Sequence, residues 1–127
     1  MSSTMPATEL HGEITEWKNL VNLIRDELKM FNHSLTEVVK KNTSEAMPYV
    51  EHFQNQFIRQ NEVSDELFHD LKQADKAIKT KAEEDGTEIE QLVVDNPIEL
   101  RSRTDSYRKL FNELKVEYHN FLSKYQN

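Results

Sequence analysis

From His52 to His69 the chain reads HFQNQFIRQNEVSDELFH, closing on a Glu-x-x-His step at Glu66 and His69, and further upstream His33 precedes Glu37 by four. Helical proteins hold metal ions with such groups, imidazole nitrogens and carboxylate oxygens converging at about 2 Å on one ion. His52 and His69 are 17 residues apart, about 25 Å along a helix, so they cannot share an ion. His33, Glu37 and His52 are the set that a turn near residue 43 would bring level, and they are the candidate metal ligands. Nucleophilic and phosphate chemistry have less to draw on. The chain has no cysteine, only two glycines and no glycine-rich phosphate loop. No Ser-His-Asp set has members that can be argued into contact.

Whether those histidines converge depends on the elements that carry them. Leu10, Ile14, Trp17, Val21, Ile24, Leu28, Phe31, Leu35 and Val38 recur at alternating steps of four and three. That is the apolar seam of a long helix with coiled-coil-like packing. It ends near Asn42, where Lys40 and Lys41 suit the negative end of the helix dipole. A second seam runs Ala46, Val50, Phe53, Phe57, Gln60, Ser64, Leu67, Leu71, Ala74 and Ile78. Pro48 is tolerated in its first turn, and Gly86 stops it because glycine adopts the left-handed conformation cheaply.

Thr87 and Glu90 have capping-box spacing, with Ile89, Leu92 and Val93 as one apolar turn behind them, which reads as a short helix. The pair Asn96-Pro97 then breaks the chain, Asn96 as cap and Pro97 as first helical residue. The last seam is Leu100, Thr104, Tyr107, Phe111, Leu114, Tyr118, Phe121 and Tyr125. Short connections force antiparallel neighbours. The expected fold is therefore all-α: an elongated up-down-up three-helix bundle, its third helix kinked or broken near Pro97. Residues 1–7 are expected to be a disordered N-terminus, and residues 8–127 one domain.

In this register His33 and His69 fall at position f, His52 and Glu66 at c, and His119 at b, all turned to solvent, while His11 at e borders the seam. The expectation is no metal site, no cofactor and no catalysis, with Asp65 and His69 as a weak pair one turn apart. The words His52-Phe53-Gln54-Asn55-Gln56 are similar to the His-Phe-x-x-Glu of hemerythrin-like proteins. Gln56 stands where that family has a carboxylate and its later paired histidines are missing, so membership is excluded.

Gln60 and Ser64 are the polar residues that do face inward. Counting through the turns puts Gln60 near Ile24 and Leu110, and Ser64 near Leu20 and Tyr107. Gln60, Ser64, Thr104 and Tyr107 should form a core polar layer that penalises slipped pairings of otherwise similar helices. Arg101, Arg103, Arg108 and Lys109 form a basic cluster expected to pair with acids on neighbouring helices.

Composition limits the partners. Charged residues make 31% of the 127-residue chain, hydrophobic residues 36%, and the net charge is -7. An acidic balance repels nucleic acid and anionic membrane surfaces. No apolar run approaches the ~20 residues needed to span a bilayer, and the N-terminus lacks a secretory pattern. A cytoplasmic location is the expectation. Leu23, Met30, Ile58 and Phe68 lie outside the seams and would be exposed in a monomer, which points to a homo-oligomer or a helical protein partner. The expected role is a non-enzymatic interaction or structural module. The rival reading is a helical binder of a metal or small ligand.

Overall fold

The computed structural model describes residues 3–41 and 44–125. Three long helices follow one another up, down and up: α1 over Ala7–Lys41, α2 over Met47–Asp85 and α3 over Ile98–Tyr125. Asn42 and Thr43, where the first helix was expected to stop, lie outside the described residues. All nine apolar residues of the first seam are buried, from Leu10 to Val38. On α2 the seam residues Val50, Phe53, Phe57, Ser64, Leu67, Leu71 and Ile78 are buried. So are Thr104, Tyr107, Phe111, Leu114, Tyr118 and Phe121 of α3. The alternating spacing thus aims one stripe of each helix into a common core that runs the length of the bundle.

Helix α2 ends as its glycine demands. Gly86 is left-handed at φ 64°, and the N–H groups of Gly86 and Thr87 return to the carbonyls of Glu83 and Ala82. This Schellman closure satisfies carbonyls that the last turn would leave orphaned. At the other end of the bundle an aromatic cluster fills the core. The ring of Tyr118 stands 5.1 Å from Phe57 at 82° and 5.0 Å from Phe31, and Phe53 lies 5.1 Å from Phe121. Edge-to-face packing of this kind suits the ring quadrupoles.

Two expectations fail at the α2–α3 connection and the N-terminus, for one reason. Residues 4–6 are ordered: strand β1, Thr4–Pro6, pairs antiparallel with strand β2, Val93–Asp95, with Met5 opposite Val94. Main-chain bonds flank the pair, Asn96 N–H to Ser3 and Ala7 N–H to Leu92. Met5, Leu92 and Val94 are buried beneath the ribbon. Burying them offsets the entropy of ordering the terminus, which the polar look of residues 1–7 conceals. The segment read as a short helix is instead a 3-10 turn over Ile89–Gln91 followed by β2. Thr87 makes no capping box; its hydroxyl reaches Gln91 Oε1 at 3.3 Å. Pro97 accepts the first main-chain bond of α3, from Arg101. Asn96 Oδ1 is taken by the Arg101 guanidinium at 3.0 Å and does not cap the helix.

Candidate functional site

The polar layer exists, in a form narrower than the spacing implies. Ser64 is fully buried on α2, and its hydroxyl donates to the Gln60 carbonyl at 2.7 Å. The Tyr107 hydroxyl lies 2.6 Å from Ser64 Oγ. Since the serine proton is committed to Gln60, Tyr107 donates to Ser64, and a chain of two bonds runs from α3 into the α2 backbone. Thr104, also fully buried, does not join it; its hydroxyl turns back to the Leu100 carbonyl at 2.8 Å. The Gln60 side chain does not join it either, because its Oε1 is buried with no hydrogen-bond partner. An acceptor left so costs about 1–3 kcal/mol.

A second hydroxyl pair escaped the sequence reading. Tyr118 donates to the Phe31 carbonyl at 3.1 Å, so Ser34, 2.6 Å away, donates to Tyr118. The signal was available: a seam tyrosine needs a partner for its hydroxyl, and Ser34 flanks the seam between Phe31 and Leu35. Burial raises both phenols above the usual tyrosine value, against the opposing pull of the serine bonds. All four hydroxyl protons are used, those of Ser64 and Tyr118 on backbone carbonyls and those of Tyr107 and Ser34 on the partner hydroxyl. These pairs set the register between helices.

The candidate metal ligands do not come together. His33 is exposed, Glu37 pairs with Lys40 at 3.3 Å one turn along α1, and His52 reaches across to Glu117 of α3 at 3.0 Å. Among the described residues no three histidine, aspartate or glutamate side chains are placed to hold an ion. Asp65 does not pair with His69; it binds Arg25 of α1 at 2.6 Å.

A polar cluster that spacing missed is His11, Lys18 and Asp75. His11 Nδ1 lies 2.6 Å and Lys18 Nζ 3.3 Å from the two oxygens of Asp75. Burial alone would raise the Asp75 pKa, but the bonds and charges of His11 and Lys18 outweigh it and hold the carboxyl below its ordinary 3.8. A carboxyl depressed in the folded state stabilises the fold fully above its unfolded value, and that contribution is lost as pH falls through and below it. Asp75→Asn should therefore cost about 1 kcal/mol near pH 6, with most of the gap to wild type closed near pH 3, measured by urea unfolding at both values. A gap that stays constant would refute the pairing.

The basic cluster behaves as expected for two of its members. Arg101 pairs with Glu13 of α1 and Arg103 with Asp70 of α2, whereas Arg108 pairs with Asp105 within α3 at 3.5 Å. Of the surface hollows, one lined by Asp65, Glu66, His69, Asp70 and Arg103 bridges α2 and α3, one lined by Asn22, Arg25, Asp26, Lys29, Asn61 and Asp65 bridges α1 and α2, and two lie along single helices. One of about 630 Å³ is lined by Asp105, Arg108, Lys109, Asn112, Glu113 and Val116 of α3, and another of about 490 Å³ by α2 residues from Gln73 to Asp85.

The chain matches no known protein family, curated protein or solved structure. Its chemistry is thus read from its own residues. Of the apolar residues expected outside, Leu23 (59%), Met30 (68%) and Ile58 (57%) are well exposed. Phe68 is not: it is half-buried, with the Arg25 guanidinium 4.6 Å above its ring. That arginine also holds Asp65, so the ring's outer face is spent on a cation–π contact. Leu110 and Val116 of α3 join the exposed set. Among the described residues no helix is long and apolar enough to cross a membrane.

Proposed function

We propose that this chain is a non-enzymatic helical-bundle module that acts by protein–protein interaction, associating through an outer face of α1 with a second copy of itself. The observation that carries the reading is the pair Leu23 and Met30, seven residues apart on one face and each more than half exposed. Two turns separate them, so they stand one above the other, the arrangement by which one amphipathic helix anchors on another. Beside them Glu27 and Lys115 form an ion pair at 2.8 Å, a polar flank of the kind that borders an interface. The hydroxyl pairs Ser64–Tyr107 and Ser34–Tyr118 support the reading too, since each is engaged within the core. A non-enzymatic role fits a core filled by aromatic rings.

The test is the mass of the particle. Light scattering after gel filtration should give about twice the 15.0 kDa of one chain. Leu23→Asp combined with Met30→Asp should return it to one chain that keeps the wild-type helical content, because both side chains face water in the single chain and their loss opens no cavity. The melting temperature should fall only by what association contributes. A wild type that stays monomeric at the highest attainable concentration would remove self-association. A double variant that remains dimeric would move the interface elsewhere.

A further inference from the structure

The two-stranded ribbon has two edges, and only one of them is closed. Thr4 opposite Asp95 and Pro6 opposite Val93 are the positions between the hydrogen-bonded pairs, since Ala7 bonds to Leu92 and Asn96 to Ser3 two residues to either side. In an antiparallel ladder the main-chain groups at such positions point away from the partner strand. On β1 the outward position Pro6 has no N–H, which blocks that edge against a further strand. On β2 the outward N–H and C=O groups of Val93 and Asp95 have no hydrogen-bond partner among the described residues. The Val93 side chain beside them is 54% exposed, Ile98 follows as another exposed apolar residue, and an open groove runs on from Asn96 to Arg103.

We propose that the outer edge of β2 is a docking site for an extended segment of a partner protein, added as a third strand and carrying alternating basic and apolar side chains. The backbone row recognises the extended conformation, since alternating donors and acceptors are matched only by another strand. Charge selects the segment. Asp95, Glu99, Glu88 and Glu90 are exposed around the edge, and no ion pair engages them among the described residues. The nearby cations are already taken, Arg101 by Glu13 and Arg103 by Asp70. A second copy is disfavoured here, because it would bring the same carboxylates together on chains each carrying a net charge of -7. This edge is separate from the Leu23 and Met30 face of α1, so either proposal can fail while the other stands.

The experiment titrates the ¹⁵N-labelled full chain with the capped peptide Lys-Val-Lys-Val-Lys and follows every backbone amide by NMR. Val93 and Asp95 should shift most, with binding at least about tenfold weaker for Glu-Val-Glu-Val-Glu and weakened by added salt. Val93→Pro should abolish the shifts while the rest of the spectrum stays native. It removes only the outward N–H, and the preceding Leu92, at φ -84° and ψ 137°, already has the backbone that a following proline requires. If Val93→Pro does not fold, Asp95→Lys serves instead and should narrow the preference between the two peptides, because it replaces the carboxylate on the edge strand itself. Three results would overturn the proposal: no shift at these amides at millimolar peptide, equal binding of the acidic peptide, or binding unaffected by the folded variant. Shifts at Val93 and Asp95 that depend on protein concentration alone would also overturn it, by placing a second copy on the edge.

Discussion

Phe57→Ala should lower the unfolding free energy by about 3–5 kcal/mol and the melting temperature by about 10 °C or more. Phe57 is completely buried at an inward position of α2. Its ring meets Tyr118 at 5.1 Å, Phe31 at 5.8 Å and Phe53 at 6.0 Å, so it joins all three helices at the aromatic end of the core. Truncation loses the transfer free energy of the ring and leaves a cavity that rigid aromatic neighbours cannot collapse to fill. Against a total stability of about 5–15 kcal/mol, this is a large fraction. Phe68→Ala is the internal comparison, because that ring is half-buried under Arg25 and should cost about half as much or less. Urea unfolding of both variants checks the order. A Phe57 loss below about 1.5 kcal/mol, or one no greater than that of Phe68, would show that the α2 seam does not face the core in this register.

The second large effect is expected at Arg101, a residue that spacing alone identified only as part of a basic cluster. Its guanidinium pairs with Glu13 of α1, with one bond at 3.2 Å, donates to Asn96 at 3.0 Å, approaches the Met5 sulfur at 3.8 Å and lies 5.3 Å from the Trp17 ring. One side chain thus ties the ribbon and the entry to α3 onto α1. The Glu13 bond raises the Arg101 pKa despite the penalty of burial, so the charge is present at any accessible pH. Arg101→Ala should cost about 1.5–3 kcal/mol, the range for hydrogen bonds to charged groups. The loss should be local as well as global: amide exchange at Met5, Val94 and Asn96 should accelerate more than at Leu28 or Leu67 in the central core. Arg101→Lys should recover less than half of the loss, because an ammonium cannot reproduce the planar fork across Glu13 and Asn96. Uniform acceleration across the chain, or full recovery with lysine, would mean that the ribbon does not depend on this contact.

How far the molecule could be read in advance follows from the range of each interaction. Every apolar residue of the first seam, Leu10 through Val38, is where its spacing puts it. Gly86 ends α2 in the left-handed conformation its lack of a side chain permits. Ser64 and Tyr107 were expected on one level and are hydrogen-bonded there. Thr104 and the Gln60 side chain were expected in the same network and are outside it, because a threonine on a helix bonds its own preceding turn more readily than a group across the core. Ion pairs from the flanks of the third helix were foreseen as a class, but Glu13 and Asp70 as partners were not. Which residues meet across a groove depends on the axial stagger of two helices, and a stripe pattern is almost indifferent to stagger.

The periodicity of the chain by itself settled that there are three long helices, which side of each faces inward and where the glycine stop falls, because these follow from the rise and turn of one helix at a time. Tertiary structure alone decided that Thr4–Pro6 and Val93–Asp95 form a ribbon, that Arg25 covers Phe68 and that His11 meets Asp75. The two strands are three residues each and separated in sequence by both α1 and α2, so neither carries enough alternation to announce itself. Their pairing is worth its entropy only after α1 and α2 have packed antiparallel and brought the α2–α3 connection beside the N-terminal residues.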